Sequence, residues 1–354
     1  MSRKNHPPSL ASQFDLAASR LAGGDWKELS EARILLTGGT GFVGKWLLGT
    51  LLAAIQQHGL RVTVCVLTRD ANRFAADHPD LAKAPQVELV TGEIEKVGTV
   101  LAGRTFTHIV HAATDASAKL NREDPLRMID TVVGGTRELL RLLQLHPPRR
   151  FLFVSSGAVY GRQPPIVDAL DEDWTGGPDP LGPGNAYHEA KRMAEQMCAA
   201  AARTQGIGHL TVARLFAFVG PYLPLDTHFA IGNFIRDAMA GQTITLTGDG
   251  STVRSYLYAS DMAAWAWGAL LRGQPLRAYN IGSSSAISTR DLAHLVARLI
   301  NPAVAVDIRG TPLPNQSIDR YVPATARANS ELGMAEWTPL DEAIRSTITY
   351  HRNP

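Results

Sequence analysis

Tyr187 and Lys191 stand four residues apart in a stretch with helical spacing. This spacing places both side chains on one face of a helix. A neighbouring ammonium favours the phenolate form of a tyrosine, so the pair predicts a general acid or base that works near neutral pH. The pair follows the fifth predicted strand by one helix, and that position favours a catalytic interpretation.

A glycine-rich turn comes directly after the first predicted strand. Residues 38–44 read Gly-Gly-Thr-Gly-Phe-Val-Gly and open a helix. Glycines at 38, 41 and 44 allow a tight turn, close approach of a pyrophosphate and close packing of the helix. The first amides of that helix would donate to phosphate oxygens. The turn therefore predicts a dinucleotide site.

Hydroxyl groups end the fifth predicted strand, where residues 155–161 read Ser-Ser-Gly-Ala-Val-Tyr-Gly. Ligands of doubly wound sheets bind outside the carboxyl ends of the strands. We expect Ser156 to bond the reacting oxygen and to share its proton with Tyr187. The alternative is that these serines only cap the end of a strand.

The elements that must position these residues alternate between strands and helices. Short apolar runs at 34–37, 62–67, 87–90, 108–110, 151–154 and 210–215 predict strands, and 45–56, 125–145 and 186–204 have helical spacing. This alternation is typical of an α/β protein with a Rossmann-type, doubly wound parallel sheet. The irregular remainder, broken by proline and glycine, predicts a smaller C-terminal substrate-binding lobe.

The chain divides into three predicted parts. Residues 1–30 form an N-terminal extension in which Phe14, Leu16, Leu21 and Trp26 predict one short helix. Residues 31–217 and about 254–275 form the dinucleotide-binding domain, and residues 218–253 with 276–354 form the substrate-binding lobe.

Composition excludes several classes of protein. Of 354 residues, 45% are apolar, which excludes a disordered chain, and 35 basic against 33 acidic residues give a net charge of +2, with no basic stripe for nucleic acid. No apolar run approaches the 20 or so residues of a membrane span. No positively charged start leads into an apolar stretch as in a signal peptide, and Cys65 and Cys198 have the surroundings of reduced core residues, so we expect a cytoplasmic protein that binds no membrane. The 11 histidines lack zinc-site spacing, so we expect no metal.

These motifs together resemble the extended short-chain dehydrogenase/reductase family. Within it the chain is most similar to the NAD(P)-dependent nucleotide-sugar epimerase/dehydratase group, which includes UDP-galactose 4-epimerase. The resemblance begins at about Arg33 and continues almost to the C-terminus. Further residues that carry it are Gly220-Pro221, residues 248–250 and 253–256, Asp261 and residues 279–282.

The resemblance implies a role for each matching residue. Tyr187 would deprotonate a sugar hydroxyl, Lys191 would lower the pKa of Tyr187 and hold the nicotinamide ribose, and Ser156 would complete the triad. Asn233 and Arg254 match positions that contact the nucleotide and diphosphate of the substrate, and the planar fork of an arginine suits a diphosphate. The residues implied to bind the cofactor, besides Tyr187 and Lys191, are Gly38, Gly41, Phe42, Val43, Gly44, Arg69, Glu93, His111, Ala112 and Ala113.

One departure from the family bears on the reaction. Dehydratases of this family carry an acidic pair directly after the catalytic hydroxyl residue, and sugar-acid decarboxylases keep a glutamate there. Here those positions are Gly157 and Ala158. Neither side chain can donate a proton or remove one from C5 of the sugar, which argues against 4,6-dehydration.

The choice between NAD and NADP depends on the end of the second strand. A carboxylate there would bond the ribose 2′-hydroxyl, whereas an arginine would accept a 2′-phosphate. Thr68 stands where the acid is expected and Arg69 follows, which favours NADP slightly, although Asp70 is near enough to swing to the ribose. Glu93, after the third strand, either lies near the adenine or is an exposed charge.

Two further groups receive a structural interpretation. Trp265 and Trp267 are expected to pack in the core or at an interface rather than to bind a ligand. Thr114, Asp115 and Lys119 follow the fourth strand, and we interpret them as solvated loop residues rather than as contacts of a sugar.

These residues favour a nucleotide-sugar epimerase that transiently oxidises a hexose carbon, C4 by expectation, with hydride transfer to and from a bound nicotinamide. The alternatives are an NADPH-dependent keto-sugar reductase and, less favoured, a nucleotide-sugar dehydratase or decarboxylase. A non-catalytic dinucleotide sensor would have no need of Tyr187 and Lys191. The family also implies a homodimer through the helices at about 125–145 and 186–204, where Met128, Val132, Ala194 and Met197 are apolar.

Overall fold

The computed structural model describes residues 9–114, 118–227, 229–311 and 317–352. The strands are β1 (Arg33–Thr37), β2 (Thr63–Thr68), β3 (Val87–Thr91), β4 (His108–His111), β5 (Arg150–Ser156), β6 (Leu210–Leu215), β7 (Phe218–Val219), β8 (Ile244–Leu246), β9 (Val253–Ser255), β10 (Leu257–Tyr258), β11 (Arg277–Ile281), β12 (Ala286–Ser288), β13 (Val306–Ile308) and β14 (Arg320–Tyr321). The helices are α1 (Leu10–Ser19), α2 (Gly23–Lys27), α3 (Phe42–His58), α4 (Ala71–Asp77), α5 (Pro79–Ala82), α6 (Val97–Val100), α7 (Ala118–Glu123), α8 (Pro125–Ile129), α9 (Gly135–Leu143), α10 (Ala186–Thr204), α11 (Ala230–Met239), α12 (Ala259–Arg272), α13 (Thr289–Ile300), α14 (Ala326–Leu332) and α15 (Leu340–Arg352).

Seven parallel strands form the central sheet in the order β11-β6-β5-β4-β1-β2-β3. The chain starts in the middle at β1, runs to one edge through β2 and β3, and then returns to build the other half from β4 onward. This is the predicted doubly wound arrangement, and the predicted fold class is confirmed. The carboxyl ends of β1 and β4 meet where the strand order reverses, which is where such sheets bind ligands.

Helices cover both faces of the sheet, so its strands are apolar on both sides. On one face Leu36 packs with Trp46 of α3 and Trp267 of α12. On the other, Leu35 packs with residues such as Cys198 of α10. Successive residues of a strand point to opposite faces, which explains why adjacent leucines belong to different clusters. The core positions predicted for Cys65, Cys198, Trp265 and Trp267 are confirmed.

The expected boundary of the lobe is wrong at one strand. Residues 276–354 were expected to lie in the lobe, whereas β11 pairs with β6 along its whole length, with Tyr279 opposite Ala213. Tyr279 and Ile281 are fully buried, so this strand completes the central sheet rather than the lobe. The lobe contains short pairings instead, β8 with β13 and β9 between β12 and β14, and α11, α13 and α15 pack over a core of their own.

The N-terminal extension forms two helices, α1 and α2, where one was predicted. Asp25 accepts a hydrogen bond from the backbone amide of Ala22 at 3.0 Å, which starts the second helix separately from the first. Phe14 and Trp26 are buried as expected, but Leu16 is 39% exposed. The extension therefore adds to the core of the nucleotide-binding domain.

The helix predicted over residues 125–145 is interrupted. A π-helical turn over Asp130–Gly134 separates α8 from α9. A Cβ on Gly135 would come within 2.6 Å of Ile94, so the glycine allows the chain to pass close to the neighbouring turn.

The residues named for a dimer interface lie mostly inside the subunit. Met128, Val132 and Ala194 are at most 2% exposed, and Met197 is partly buried against the same core. Their apolar character is therefore explained by packing within one chain. Among the residues described, no helix combines the length and apolar character that crossing a bilayer requires.

Candidate active site

A cavity of about 1100 Å³ opens at the carboxyl ends of the central strands. Its floor is the turn between β1 and α3, and its walls come from the ends of β2, β4 and β5, from α10 and from the lobe. The cavity is long enough to pass from the edge near β3 to the lobe. The site is therefore a single continuous groove across the sheet.

The predicted triad lines this cavity together. Ser156 ends β5, and Tyr187 and Lys191 lie in the first turns of α10. The hydroxyl of Ser156 lies near enough to the phenol of Tyr187 to lower the pKa of that phenol. The ammonium of Lys191 is 3% exposed and donates to the carbonyl of Val154 at 2.8 Å. The backbone amide of Tyr187 donates to Oδ1 of Asn121 at 3.0 Å, which fixes the start of the helix.

The protonation of the triad differs from the expectation in one respect. Burial raises the pKa of Tyr187, and the hydrogen bond from Ser156 opposes that rise. Lys191 was expected to lower this pKa, but its ammonium bonds the carbonyl of Val154 instead. Burial also lowers the pKa of Lys191 to about 8, against the opposing charge of Glu195. At neutral pH the lysine is a cation and the tyrosine a neutral phenol.

The glycine turn forms a cradle that fits a pyrophosphate. Gly38 has a positive φ of 71°, and a Cβ there would lie 2.5 Å from the carbonyl oxygen of Ala112. A Cβ on Gly44 would lie 2.1 Å from the carbonyl oxygen of Gly38. At Gly41 it would make only an ordinary contact of 3.5 Å, so the backbone there stays open to the cavity. Phe42 and Val43 line the same wall and begin α3, whose first amides face the cradle.

The carboxylate after β2, Asp70, caps a helix. It accepts from the amide of Arg73 at 2.9 Å at the start of α4, and it lines the smaller cavity described below but not the main one. Thr68 donates from its hydroxyl to the hydroxyl of Thr40 at 3.4 Å. Arg69 lines the main cavity. This end of the groove can therefore take an anion.

A second cavity, of about 470 Å³, adjoins this end and shares Thr40 and Arg69 with the main one. Its wall includes Lys45, whose pKa burial lowers to about 8, with the charge of Asp77 opposing. Nζ of Lys45 lies 3.2 Å from Nε2 of His78. Three cations, Lys45, Arg69 and Arg73, line this cavity together with two carboxylates, Asp70 and Asp77, so positive charges exceed negative ones by one.

Of the residues predicted after β3 and β4, Glu93, Ala112 and Ala113 line the cavity. Glu93 pairs with Lys96 at 3.1 Å, so it is also a surface charge. His111 does not reach the groove. Its ring nitrogens bond the hydroxyls of Thr37 at 2.7 Å and of Thr136 at 3.1 Å, and burial lowers its pKa to about 3.

His111 was predicted to bind the cofactor, and its side chain instead has a structural role. Its side chain ties β1, β4 and α9 together as a neutral core residue, while the next residues along the chain meet the cavity. The backbone amide of Ala113 donates to the hydroxyl of Thr37 at 3.1 Å, which extends the same tie.

Of the two residues predicted to bind the substrate, one lines the cavity and the other does not. Arg254 lines the cavity from β9 and pairs with Asp319 at 2.6 Å. Asn233 lies on α11 outside the lining, where its Oδ1 accepts from Arg236 at 3.1 Å. The residues at the start of α11 that do line the cavity are Phe229, Ala230 and Ile231, which precede Asn233 by about one helical turn.

Of the three loop residues set aside from the sequence, Thr114 lines the cavity and its interpretation as a purely solvated residue is wrong. Lys119 is exposed and lies 3.9 Å from Glu123. Asp115 lies outside the described residues.

The sequence did not predict Asn121, Phe216 or Tyr321, which complete the wall around the triad. Phe216 follows β6 directly, so the end of a central strand was a usable signal for it. Tyr321 belongs to a two-residue strand of the lobe, and Asn121 to a short helix. Neither of those residues stood in a motif.

Comparison with known proteins was made on sequence and on structure. The model of the NAD dependent epimerase/dehydratase family matches residues 34–282. UDP-glucuronic acid decarboxylase 5 of Arabidopsis thaliana is 30% identical over 335 residues, which is 92% of this chain and 92% of that protein. UDP-glucuronic acid decarboxylase 1 of Danio rerio is 29% identical over 323 residues, 91% of this chain and 73% of that protein.

Solved structures share the fold at lower identity. The UDP-glucose 4-epimerase of Thermotoga maritima, crystallised with UDP-glucose, has a TM-score of 0.76 and 23% identity, covering 90% of this chain and 98% of its own. The dTDP-glucose 4,6-dehydratase of Bacillus anthracis, in complex with NAD, has a TM-score of 0.74 and 21% identity, covering 91% and 96%.

Proposed function

The chain belongs to the NAD dependent epimerase/dehydratase family, and we propose that it is an epimerase that transiently oxidises the sugar of a UDP-linked substrate at C4. The family and its decarboxylase relatives support a nucleotide-sugar substrate, and the relatives' names support UDP. Tyr187, Ser156 and Lys191 in one cavity support an oxidation that begins at a sugar hydroxyl.

In this proposal Tyr187 must first lose its own proton, and its phenolate oxygen then takes the proton of the C4 hydroxyl while Ser156 donates a hydrogen bond to the reacting oxygens. The buried ammonium of Lys191 supplies the positive charge that a phenolate needs. A nicotinamide dinucleotide, when bound, would accept the hydride of the sugar carbon and return it. Tyr187 then gives its proton back as the ketone is reduced, so one residue serves both directions.

The described lining of the cavity has no carboxylate side chain next to Ser156, and this supports epimerisation over elimination. Among the described residues that line the cavity, the acids are Glu93 and Glu95, which follow β3. Four strand spacings separate β3 from β5, or about 19 Å across the sheet. A dehydratase must remove the proton on C5, and no carboxylate of the described lining residues lies near enough to Ser156 to do so.

Decarboxylation is the second candidate, because UDP-glucuronic acid decarboxylases are 30% identical over 92% of the chain. Oxidation at C4 turns a uronic acid into a β-keto acid, whose carboxylate leaves as carbon dioxide while its electrons form an enolate. Loss of carbon dioxide needs no base, but the enolate must then take a proton at C5, and Gly157 and Ala158 stand where family decarboxylases keep a glutamate, so another donor such as water would have to supply that proton. Arg254 supplies a cation in the same cavity for an acidic substrate.

For the cofactor we propose a site that accepts the 2′-phosphate of NADP. The capped Asp70, the hydroxyl of Thr68 and the cations Arg69 and Lys45 support this, whereas the NAD bound by the Bacillus anthracis dehydratase is a property of that protein. An NADPH-dependent keto-sugar reductase would use the same features. Replacing Arg69 by leucine should weaken binding of NADP about tenfold and leave binding of NAD within twofold, measured by titration calorimetry. Equal loss for both dinucleotides would contradict the assignment.

A homodimer is a further proposal, supported by the family and by apolar side chains that stay outside the core of the subunit. Leu126 of α8 is 73% exposed and Met193 of α10 is 52% exposed. Light scattering during gel filtration, on the wild type and on a Leu126→Glu, Met193→Lys double variant, tests it: a dimer that the variant disrupts is the expected result.

One experiment separates the reactions. The purified protein, without added cofactor, is given UDP-glucose, UDP-galactose and UDP-glucuronic acid in separate samples, and the products are identified by NMR. An epimer at C4 with no net reduced nicotinamide supports the proposal. A pentose product with release of carbon dioxide would replace it by decarboxylation. A fourth sample contains a UDP-linked 4-keto-hexose and added NADPH, and turnover in that sample alone, with stoichiometric use of NADPH, would replace the proposal by a reductase.

A further inference from the structure

Tyr321 is brought to the catalytic serine from a distant part of the chain. It lies on β14, whose pairing with β9 places Tyr321 opposite Arg254. Its ring packs on that of Phe216 with centroids 4.5 Å apart, and the guanidinium of Arg254 lies 6.0 Å from its centroid. The side chain lines the same cavity as Ser156 and Tyr187.

The space that its hydroxyl occupies exists because residue 157 is a glycine. A Cβ on Gly157 would lie 2.6 Å from the hydroxyl oxygen of Tyr321 and 2.6 Å from the ring of Phe216. Any other residue at 157 would displace one of these rings. The phenol therefore stands where a side chain at position 157 would begin.

The hydrogen bonds of Ser156 give the phenol a role. A serine hydroxyl can accept two hydrogen bonds and donate one. Its oxygen accepts one from the amide of Ala158 at 3.1 Å, and the phenols of Tyr321 and Tyr187 both line the cavity close to it, where the serine hydroxyl lowers the pKa of each. Burial raises the pKa of Tyr321, so its hydroxyl keeps its proton at neutral pH and can donate it.

We propose that Tyr321 is a positioning residue for the triad: it donates to Ser156 and so leaves the serine's own proton to point at Tyr187 and the substrate oxygen. This inference rests on the proposed function, in which Tyr187 is the base. With both acceptor sites of Ser156 filled, its proton has only the reacting pair as acceptors. Hydrogen bonds in such a chain strengthen one another, so the arrangement favours the phenolate of Tyr187.

The strand that carries Tyr321 is held firmly enough for this role. The amide of Val322 donates to Oε1 of Gln163 at 3.0 Å, and its carbonyl accepts from the amide of Leu170 at 2.9 Å. Pro323 forms a bridge with Leu170. Residues 163–170, which follow β5, thus hold β14 beside the site through these hydrogen bonds.

The charged and titratable groups around the two phenols come from three elements. Lys191 stands on α10 with Tyr187, Arg254 on β9, and Tyr160 on the short helix after β5. Tyr160 differs from Tyr321 because its hydroxyl donates to Oδ1 of Asn280 at 2.7 Å and takes no part in the triad. It is therefore a matched control, since it also packs on Phe216.

The test is Tyr321→Phe, which keeps the ring and removes the donor. With the nucleotide sugar that the wild type converts, kcat should fall by up to about tenfold and KM stay within twofold, since the lost hydrogen bond to Ser156 supports the phenolate only through the serine. The acidic limb of the kcat/KM profile should move to higher pH. Tyr160→Phe should leave that limb in place. An unchanged kcat and an unmoved limb in Tyr321→Phe would overturn the proposal.

A titration that needs no turnover distinguishes failure of this inference from failure of the proposed function. Ultraviolet difference spectra of the dinucleotide-bound protein, with Tyr187→Phe as the reference, report the ionisation of Tyr187 alone. In Tyr321→Phe that phenol should ionise at higher pH than in the wild type. The same titration curve in both proteins would overturn the role of Tyr321, whatever the substrate is.

Discussion

Lys191 shows how the surroundings of one residue set the pH at which the site can work. Its side chain is almost fully buried against β5, and this burial lowers its pKa to about 8. The ammonium is therefore present below that pH and lost as the pH rises through it. In the proposed mechanism, the phenolate of Tyr187 would lose a nearby positive charge at the same pH.

We therefore expect kcat/KM to fall above about pH 8, because this ratio reports groups of the enzyme before substrate binds. Lys191→Arg should move the fall to higher pH, since a guanidinium stays charged. Rates measured across the alkaline range on both proteins check this. A wild-type profile that stays flat well above pH 8 would exclude the lysine charge as the controlling group.

At the scale of elements, the turn between β1 and α3 depends on contacts that only glycine allows. A Cβ on Gly44 would meet the rigid backbone oxygen of Gly38 at 2.1 Å. Gly24, in α2, offers a matched control because a Cβ there would meet nothing within 4 Å.

Gly44→Ala should therefore destabilise the fold by about 1–3 kcal/mol through overpacking. It should also abolish dinucleotide binding, because the shifted helix no longer presents its amides to the pyrophosphate. Gly24→Ala should bind as the wild type does. Calorimetric titration with NAD and NADP, with thermal unfolding beside it, measures both effects, and normal binding by Gly44→Ala would show that the cradle lies elsewhere.

An element could be predicted from the sequence when its pattern of residue types lay within one short segment. The Tyr187–Lys191 spacing and the glycine turn are contained in single short segments, and both lie in the cavity as expected. His111 was misassigned because both faces of β4 are buried, so alternation could not tell core from groove. Tyr321 reaches the site only through the pairing of β14 with β9, and two-residue strands leave no periodic pattern.

At the scale of the whole molecule, the N-terminal extension is built into the nucleotide-binding domain. Trp26 is fully buried, donates from Nε1 to the carbonyl of Ala18 at 2.9 Å and packs against Trp267 of α12. Gln13 of α1 is hydrogen-bonded to Tyr258 and lies 3.3 Å from the hydroxyl of Ser346 in α15. The N-terminal extension therefore contacts the C-terminal helix α15.

Trp26→Ala should lower the free energy of unfolding by about 3–5 kcal/mol, as expected for removing a large buried aromatic side chain. Its kcat under conditions where the protein stays folded should be unchanged, because the tryptophan lies away from the groove. Denaturant unfolding measures the free energy of unfolding, and rate measurements at low temperature measure kcat. A stability equal to that of the wild type would mean that the extension only rests on the surface.

The central claim is that the phenol of Tyr187 moves the proton that makes sugar oxidation possible. The most direct measurement is kcat of Tyr187→Phe with the nucleotide sugar that the wild type converts, with dinucleotide binding and thermal stability measured on the same sample. Loss of a positioned acid–base group predicts a fall in kcat of about 10²–10⁴-fold with binding and stability unchanged. A kcat within a few-fold of the wild type would contradict the claim.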